Sequence, residues 1–278
     1  MLTALASEKV KKTELNGPLP VAAFLLSATG IAIARYAQGR RTGSPSSQHT
    51  SALIYWGNDA IAQLLQAAFS CPPEPITVSL MNRFLILHAE HGLNCSTLAV
   101  RTAASNGAAP FAAIVAGLCA FKGPLHGRAS REVGMQHDQL LRESQDVSRY
   151  IDDCLTHGRR LPGIGHRLYK QPDPRAAYMQ RLLQNARADF ASVSPHIDLC
   201  DAIVHHVNHR PYFTQRGLHP NPDLFNGILL RRIGFPPEMN TLLLCLSRTV
   251  GWLAHYYDSV SSKAPLIRPQ ELYADEEK

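Results

Sequence analysis

Apolar residues recur along this chain with the three-to-four spacing of a helix, and the alternation expected of strands is almost absent. Val21 to Ala37 is apolar and alanine-rich and predicts a helix ending at Gln38-Gly39-Arg40-Arg41. A Gly/Ser/Pro loop follows over Gly43 to Ser51, then a helix over Ala52 to Phe69 that Cys71-Pro72-Pro73 stops. Thr77 to Ala89 predicts a further helix, and Cys95 to Ala104 another after a break at Gly92. Ala108 to Phe121 is apolar all round and reads as a buried core helix. Gln136 to His157 predicts one amphipathic helix or a pair, with Gly158 as C-cap. Helices over Arg175 to Phe190, Leu199 to His209 and Met239 to Tyr257 complete the series. The expected fold class is all-α, with no internal repeat.

Composition narrows the function classes. With 278 residues, 45% of them hydrophobic and 18% charged, the chain can bury a core and is not a disordered tail. The 28 Lys+Arg against 22 Asp+Glu give +6, an excess that suits anionic substrates. Arg40-Arg41 and Arg231-Arg232 are short basic pairs without aromatic platforms beside them, so no nucleic-acid partner is expected. Six evenly spread cysteines with no CxxC pair argue against a zinc site or a disulfide framework and for a reducing compartment, the cytoplasm. Met1 to Lys12 lacks the charge order of a secretory signal. No window is expected to reach the roughly 18 apolar residues that span a bilayer, so no membrane partner is expected either. His205, His206 and His209 invite a metal reading on spacing, but no carboxylate or thiol stands at ligand distance in sequence, and no metal is expected. Asn94-Cys95-Ser96 fits a glycosylation sequon and is set aside with the absent signal.

The chemistry concentrates between helices. Four stretches combine Gly or Pro punctuation with a titratable residue: His88-Ala-Glu-His91-Gly-Leu-Asn94, Gly123-Pro-Leu-His126-Gly127, Gly163-Ile-Gly-His166-Arg167 and Asn221-Pro-Asp223-Leu-Phe-Asn-Gly227. Glycine lets backbone approach a ligand closely. A ring held near a helix N-terminus stays neutral and can donate to a developing oxyanion. Arg175, Arg248 and Arg268 each lie in apolar or proline-rich sequence, where a charge is costly unless paired. Their guanidinium forks suit carboxylates. Three such arginines with three such histidines point to a small di- or tricarboxylate; for any single residue, loop satisfaction or a surface charge explains it equally well.

These same stretches resemble the signatures of the citrate synthase family. The resemblance is carried by Gly163-Ile-Gly-His-Arg-Leu-Tyr-Lys-Gln-Pro-Asp-Pro-Arg175, Leu85-Ile-Leu-His-Ala-Glu-His91 with Asn94, Ser96 and Thr97, and Lys122-Gly-Pro-Leu-His-Gly127. Asn221 to Gly227, Arg248 with Gly251-Trp-Leu-Ala-His255, and Leu266-Ile-Arg-Pro269 continue it in order, from about Pro18 to Tyr273. The resemblance implies an all-α fold in two parts, a large helical domain from residues 1–126 and 235–278 and an inserted small domain over 127–234. The cleft between them would close on substrate, with the glycines beside His126 as hinge points. It implies a transferase that condenses an acyl-CoA, acetyl-CoA or a longer one, with a 2-oxoacid such as oxaloacetate, then hydrolyses the thioester.

In that reading His126 stabilises the enolate, Asp223 is the base and His166 polarises the ketone. His91, Arg175 and Arg248 hold the 2-oxoacid, and Arg268 reaches it from the partner subunit of a homodimer. Lys170 with Leu161, Gly163, Ile164 and Gly165 lies near CoA, and the resemblance implies no cofactor beyond the CoA thioester substrate. Two alternatives remain open: a citryl-CoA lyase or thioester hydrolase of the same fold, and a non-catalytic homologue. Some neighbours depart from the family pattern, including Gly92 where the bacterial type commonly has Glu, Ser130 where Asn is frequent, and Pro222 and Leu224 around Asp223. The portion before Pro18 is short for the family, which implies an altered acyl pocket, a completing partner chain or a degenerate homologue.

Overall fold

The computed structural model describes residues 18–42, 59–166, 169–185 and 187–270. The expected loop at Gly43 to Ser51 and the first part of the helix expected from Ala52 lie outside them. Twelve α-helices make up the architecture among these residues: α1 (Pro18–Thr42), α2 (Ala60–Phe69), α3 (Pro75–His88), α4 (Cys95–Ser105), α5 (Pro110–Phe121), α6 (Ala129–Arg142), α7 (Val147–Thr156), α8 (Pro174–Asn185), α9 (Ser194–His209), α10 (Pro211–Thr214), α11 (Pro222–Ile233) and α12 (Asn240–Ser261). No strand occurs among the described residues, only an isolated antiparallel bridge between Ile164 and Pro220. The all-α expectation holds.

Local chemistry explains most boundaries. Proline opens α3, α5, α8 and α11, where its fixed φ and missing N–H cost nothing. Asn94, Asp146 and Asn221 cap α4, α7 and α11 by accepting backbone N–H groups of the first turn. The predicted stretch from Gln136 to His157 is a pair, broken at Ser144 (φ 48°), and its first helix begins seven residues earlier than expected, at Ala129. Gly158 (φ 62°) follows the pair as predicted. Residues 187–193 form a 3-10 turn rather than extending α8. α11 was not among the predicted helices: its polar motif read as loop chemistry, yet Asn226 at its centre is fully buried.

Two expectations need correction. α1 ends at Thr42, one residue beyond the expected Gln38-Gly39-Arg40-Arg41, and Gln38 Nε2 donating to Ala67 O (2.6 Å) and Arg41 to Phe69 O tie its last turn to the C-terminus of α2. No window was expected to span a bilayer, yet Pro20–Thr42 is long and apolar enough to cross a membrane by length and composition. It packs instead on α2 and α12, burying Val21, Leu25, Ile33 and Ala34. Conversely, α5 is only partly a core helix. Ala113, Ile114 and Gly117 face inward while Ala112 and Cys119 are exposed.

α12 packs against α1, α3, α4 and α5, and Trp252 lies fully buried among them with its ring 5.9 Å from that of Phe121. α11 packs against α6, α8 and α3. Helix α3 therefore touches both α11 and α12, and His91, Arg175 and Arg248 lie at or beside its C-terminal end.

Candidate active site

The C-terminal turn of α3 is gripped along one face of α12. Ser247 Oγ donates to Leu85 O, Arg248 Nε to His88 O (3.0 Å) and Gly251 N to Ala89 O (3.1 Å). Residues four apart on a helix share a face, so 247, 251 and 255 form one row. Any side chain at 251 would collide with Ala89 O, which stands 2.2 Å from the position a Cβ would take. His88, at the end of α3, is a core residue: Nδ1–H donates to Phe84 O (2.9 Å), and burial pushes its pKa down to about 3. His91, three residues on, is half-buried.

His91, His166 and Arg175 meet. His91 Nε2 lies 3.0 Å from His166 Nε2 and 3.2 Å from Arg175 Nη2. Arginine can only donate, so His91 Nε2 is an acceptor and the second hydrogen bond is given by His166 Nε2–H. The other side of the His166 ring agrees, since Nδ1 accepts the backbone N–H of Tyr169 (3.1 Å), whose ring stacks on it. His166 is thereby fixed as a neutral donor at Nε2. Burial first, then the Arg175 charge, hold His91 down at about 4, and burial lowers His166 as well, so both stay uncharged near neutrality.

Arg175 is oriented by a residue that the sequence reading passed over. Asp173, only 2% exposed, accepts Nε at 3.1 Å on one oxygen and Nη2 at 2.7 Å on the other, and its first oxygen also takes the Arg175 backbone N–H (2.9 Å). Burial opposes its ionisation, but these bonds outweigh it and the carboxyl lies below its ordinary value. The signal was present as Asp173-Pro174-Arg175, an acidic cap immediately before a proline-started helix.

The turn that carries His166 is sewn to the start of α11. Asn221 N donates to Gly163 O (2.9 Å), Gly165 N to His219 O (2.7 Å) and Asn221 Nδ2 to Gly165 O (2.8 Å). Gly163 and Gly165 adopt φ of 79° and 87°, a conformation that side chains resist. Asn221 also caps α11 through the N–H of Asp223 (2.9 Å), so one asparagine sets both His166 and Asp223. Burial drives the Asp223 pKa up to about 6, against the pull of Arg175, of the 3.3 Å bond from Asn226 and of Arg248.

Arg248 is buried, and its Nη1 has no hydrogen-bond partner among the described residues. Burial and the nearby Arg175 charge lower it to about 10, still cationic at neutral pH. A desolvated guanidinium with an uncommitted nitrogen is a receptor for an anion.

His126 sits in a second cluster. Its Nε2 lies 2.9 Å from Ser96 Oγ, which also touches Asn94 Oδ1 (2.7 Å) and receives Trp252 Nε1–H (3.2 Å). Phe121 packs edge-on against the ring. Ser96 has one proton, and whether it turns to Asn94 or to His126 sets which ring nitrogen of His126 carries hydrogen. Of the remaining candidates, Leu161 is buried, Ile164 part-buried and Lys170 exposed at the mouth of the turn. Arg268 is exposed on the extended segment after α12, whose Ile267 N–H donates to Ser105 Oγ (3.1 Å); among the described residues no hydrogen bond or ion pair joins it to the others. Neither the three neighbouring histidines of α9 nor any other group among the described residues forms a metal-ligand cluster.

Residues 1–270 match the family described as citrate synthase, C-terminal domain. The chain belongs to the citrate synthase family. Among curated relatives it is similar to the glyoxysomal citrate synthase of Cucurbita maxima, 32% identical over 274 residues, which is 98% of this chain and 52% of that protein. The chain thus spans about half the length of that relative. The fold is similar to citrate synthase of Thermoplasma acidophilum, solved as a ternary complex with carboxymethyl coenzyme A and oxaloacetate (TM-score 0.84, 29% identity, all of this chain and 71% of that one). It is also similar to the Pyrobaculum aerophilum enzyme (TM-score 0.79, 28% identity, 66% of that chain). A third likeness is to the Thermotoga maritima enzyme (TM-score 0.77, 27% identity, 71% of that chain). Family membership agrees with the resemblance drawn from the six sequence blocks.

Proposed function

We propose that this chain condenses an acyl-CoA with a 2-oxoacid and hydrolyses the resulting thioester, acetyl-CoA and oxaloacetate being the first pair to test. The observation that carries the reading is the junction of the 163–165 turn with Asn221, which ties the turn bearing a neutral imidazole donor to the helix start bearing a carboxylate of raised pKa that feels two guanidiniums. The solved complex of the Thermoplasma acidophilum relative supports the substrate pair.

In this mechanism ionised Asp223 takes the α-proton of the acyl group, and the C–H electrons move into an enolate whose oxygen accepts from His126. A carboxylate alone is far too weak a base; stabilising the oxyanion as it forms, in a site closed to water, lowers the barrier. The enolate carbon attacks the keto carbon, a C–C bond forms as the C=O electrons move onto oxygen, and that oxygen takes the proton of His166 Nε2–H, released from His91 Nε2, to become the hydroxyl; the ring is reprotonated from solvent as Asp223 gives up the proton it took. Arg175, Arg248 and His91 hold the 2-oxoacid carboxylates and keto group. Water then cleaves the thioester, releasing CoA as the thiol. For His126 to donate from the nitrogen away from Ser96, the Ser96 hydroxyl turns to the ring while Asn94 keeps the N–H of Thr97 (3.1 Å). The resident groups complete this sequence without a cofactor.

Lys170 and the backbone of Leu161, Gly163, Ile164 and Gly165 are assigned to CoA, Lys170 being an exposed cation a few residues beyond that turn and suited to a phosphate. Residues 1–126 with 235–278 are assigned to a large domain and 127–234 to a small one, on two grounds: α12 returns to pack on α1, α3, α4 and α5, and His91 meets His166 and Arg175 across the division. A homodimer is assigned on the outward faces of α4 and α5, where Leu98, Ala112 and Cys119 are exposed. Arg268 would complete the partner's site from the exposed tail. Free thiols at all six cysteines favour a reducing compartment, and we assign the cytoplasm.

The test is thiol release from acetyl-CoA with oxaloacetate, and from longer acyl-CoA esters with other 2-oxoacids. Turnover in the wild type that Asp223→Ala abolishes supports the reading; turnover unchanged in that variant overturns it. Cleavage of citryl-CoA without condensation would favour the lyase.

A further inference from the structure

Besides the buried His88, a second histidine of the sequence motifs has no part in this mechanism. His255 ends the Gly251-Trp-Leu-Ala-His255 motif and lies one turn beyond Gly251 on the face of α12 that grips residues 85–89. Its Nδ1 lies 3.2 Å from Arg101 Nη1 and its Nε2 2.9 Å from Glu90 Oε1. Because Arg101 can only donate, Nδ1 holds the lone pair and Nε2–H donates to Glu90. The same Arg101 nitrogen donates its second hydrogen to Asp258 Oδ2 (2.8 Å). Glu90 Oε2 accepts the N–H of Gly92 (2.8 Å), and the carboxylate also takes the backbone N–H of His91. Gly92 has φ of 65°, and its own carbonyl accepts Asn94 N (3.0 Å), so the carboxylate of Glu90 closes a tight turn around His91.

We propose that His255 is a positioning residue, the link in an Asp258–Arg101–His255–Glu90 chain that fixes the turn presenting the His91 ring to substrate. Each member has one direction of donation, so the chain has one arrangement. Its inner end is the backbone on both sides of His91. Its outer end is Asp258 on α12, bonded to Arg101 on α4, so the chain joins α4, α12 and the site turn. Burial pushes Glu90 up, yet the Gly92, His255 and His91 bonds outweigh it and keep the carboxyl ionised below its ordinary value, as the acceptor end of such a chain requires.

The kinetic test rests on the function proposed above; a second readout does not. In His255→Phe both bonds are lost: KM for the 2-oxoacid is expected to rise about tenfold with kcat within about threefold and KM for the acyl-CoA unchanged. His255→Gln, whose amide supplies one donor and one acceptor, is expected to restore KM to within about threefold. Arg101→Met, which breaks the chain from the outside, shifts KM in the same direction by less and serves if the Phe variant fails to fold. Separately, the 15N–1H imidazole spectrum of His91 in the ligand-free protein is expected to show one tautomer, protonated at Nδ1, in the wild type and the Gln variant, and a tautomer mixture in the Phe variant. An equal rise in both KM values, no rescue by Gln, or an unchanged His91 spectrum in the Phe variant overturns the positioning role. If the wild type turns over no thioester, the proposed function fails and the His91 spectrum alone decides the chain.

Discussion

Asp173 and Asp223 share a guanidinium and are driven in opposite directions. Both stand at the start of a proline-opened helix, as Asp-Pro before α8 and as Pro-Asp in α11. Asp173 grips Arg175 through both oxygens and lies below its ordinary pKa; Asp223 feels the same cation without bonding it and is raised to about 6. Asp173 precedes its proline by one residue and Asp223 follows its own by one; the first is a strut and the second is left able to take a proton. Two carboxylates whose environments push them apart are the usual arrangement for acid–base work.

The sharpest way to break this comparison is Asp223→Asn. Turnover is expected to fall by about 10³-fold or more, the range of a lost general base, as measured by thiol release at saturating substrate. The converse variant, Asp173→Asn, is expected to cost about 2 kcal/mol of stability by leaving the part-buried Arg175 without its carboxylate. Urea midpoints measure it, and a loss smaller than that of an exposed pair would end the strut assignment.

The two variants should also differ in the sign and pH dependence of stability. Asp223 has a folded pKa above its unfolded value of 3.8, so the native state binds the extra proton and stability falls as pH rises from about 3.8 to about 6. Removing the charge is therefore expected to stabilise Asp223→Asn by about 1–2 kcal/mol above pH 6, after allowance for its partial exposure, and by nothing below pH 3.8. Asp173 has a depressed folded pKa, so its contribution is present above 3.8 and is lost as pH falls through the folded value. Thermal midpoints of both variants between pH 3 and 8 should diverge towards neutrality. For the reaction itself, kcat/KM is expected to fall on the acid side as Asp223 protonates near 6. The smallest effect is that of Asn226→Ala. Losing the 3.3 Å bond that favours the charged form moves this acid limb upward by roughly half a pH unit to one unit, about 1 kcal/mol.

Much of this was legible in the sequence, for identifiable reasons. Helices whose apolar period is plain, such as α4, α9 and α12, were expected near their observed positions. α11 was not, because Asn221 to Gly227 read as a break between helices, while packing against α3, α6 and α8 buries the helix on most sides. Around the site the titratable residues were foreseen and most of their partners were not. Asp173, Asn221 and Ser96 act by aiming another side chain, and a sequence shows a side chain's type long before it shows what the side chain is bonded to. Arg248 reaches His88 O across 160 positions of chain, beyond any local pattern.

The row Ser247, Gly251, His255 works as a ruler laid against residues 85–90. A ruler survives scratches on its marks better than a splice in its length. Each residue added to a helix turns everything after it by about 100°. One insertion between Ser247 and His255 would therefore swing His255 away from Glu90 while Arg248 stayed in place. In a library of single-residue insertions, this stretch of α12 is expected to be a gap in tolerance, flanked by helix ends that accept extra residues.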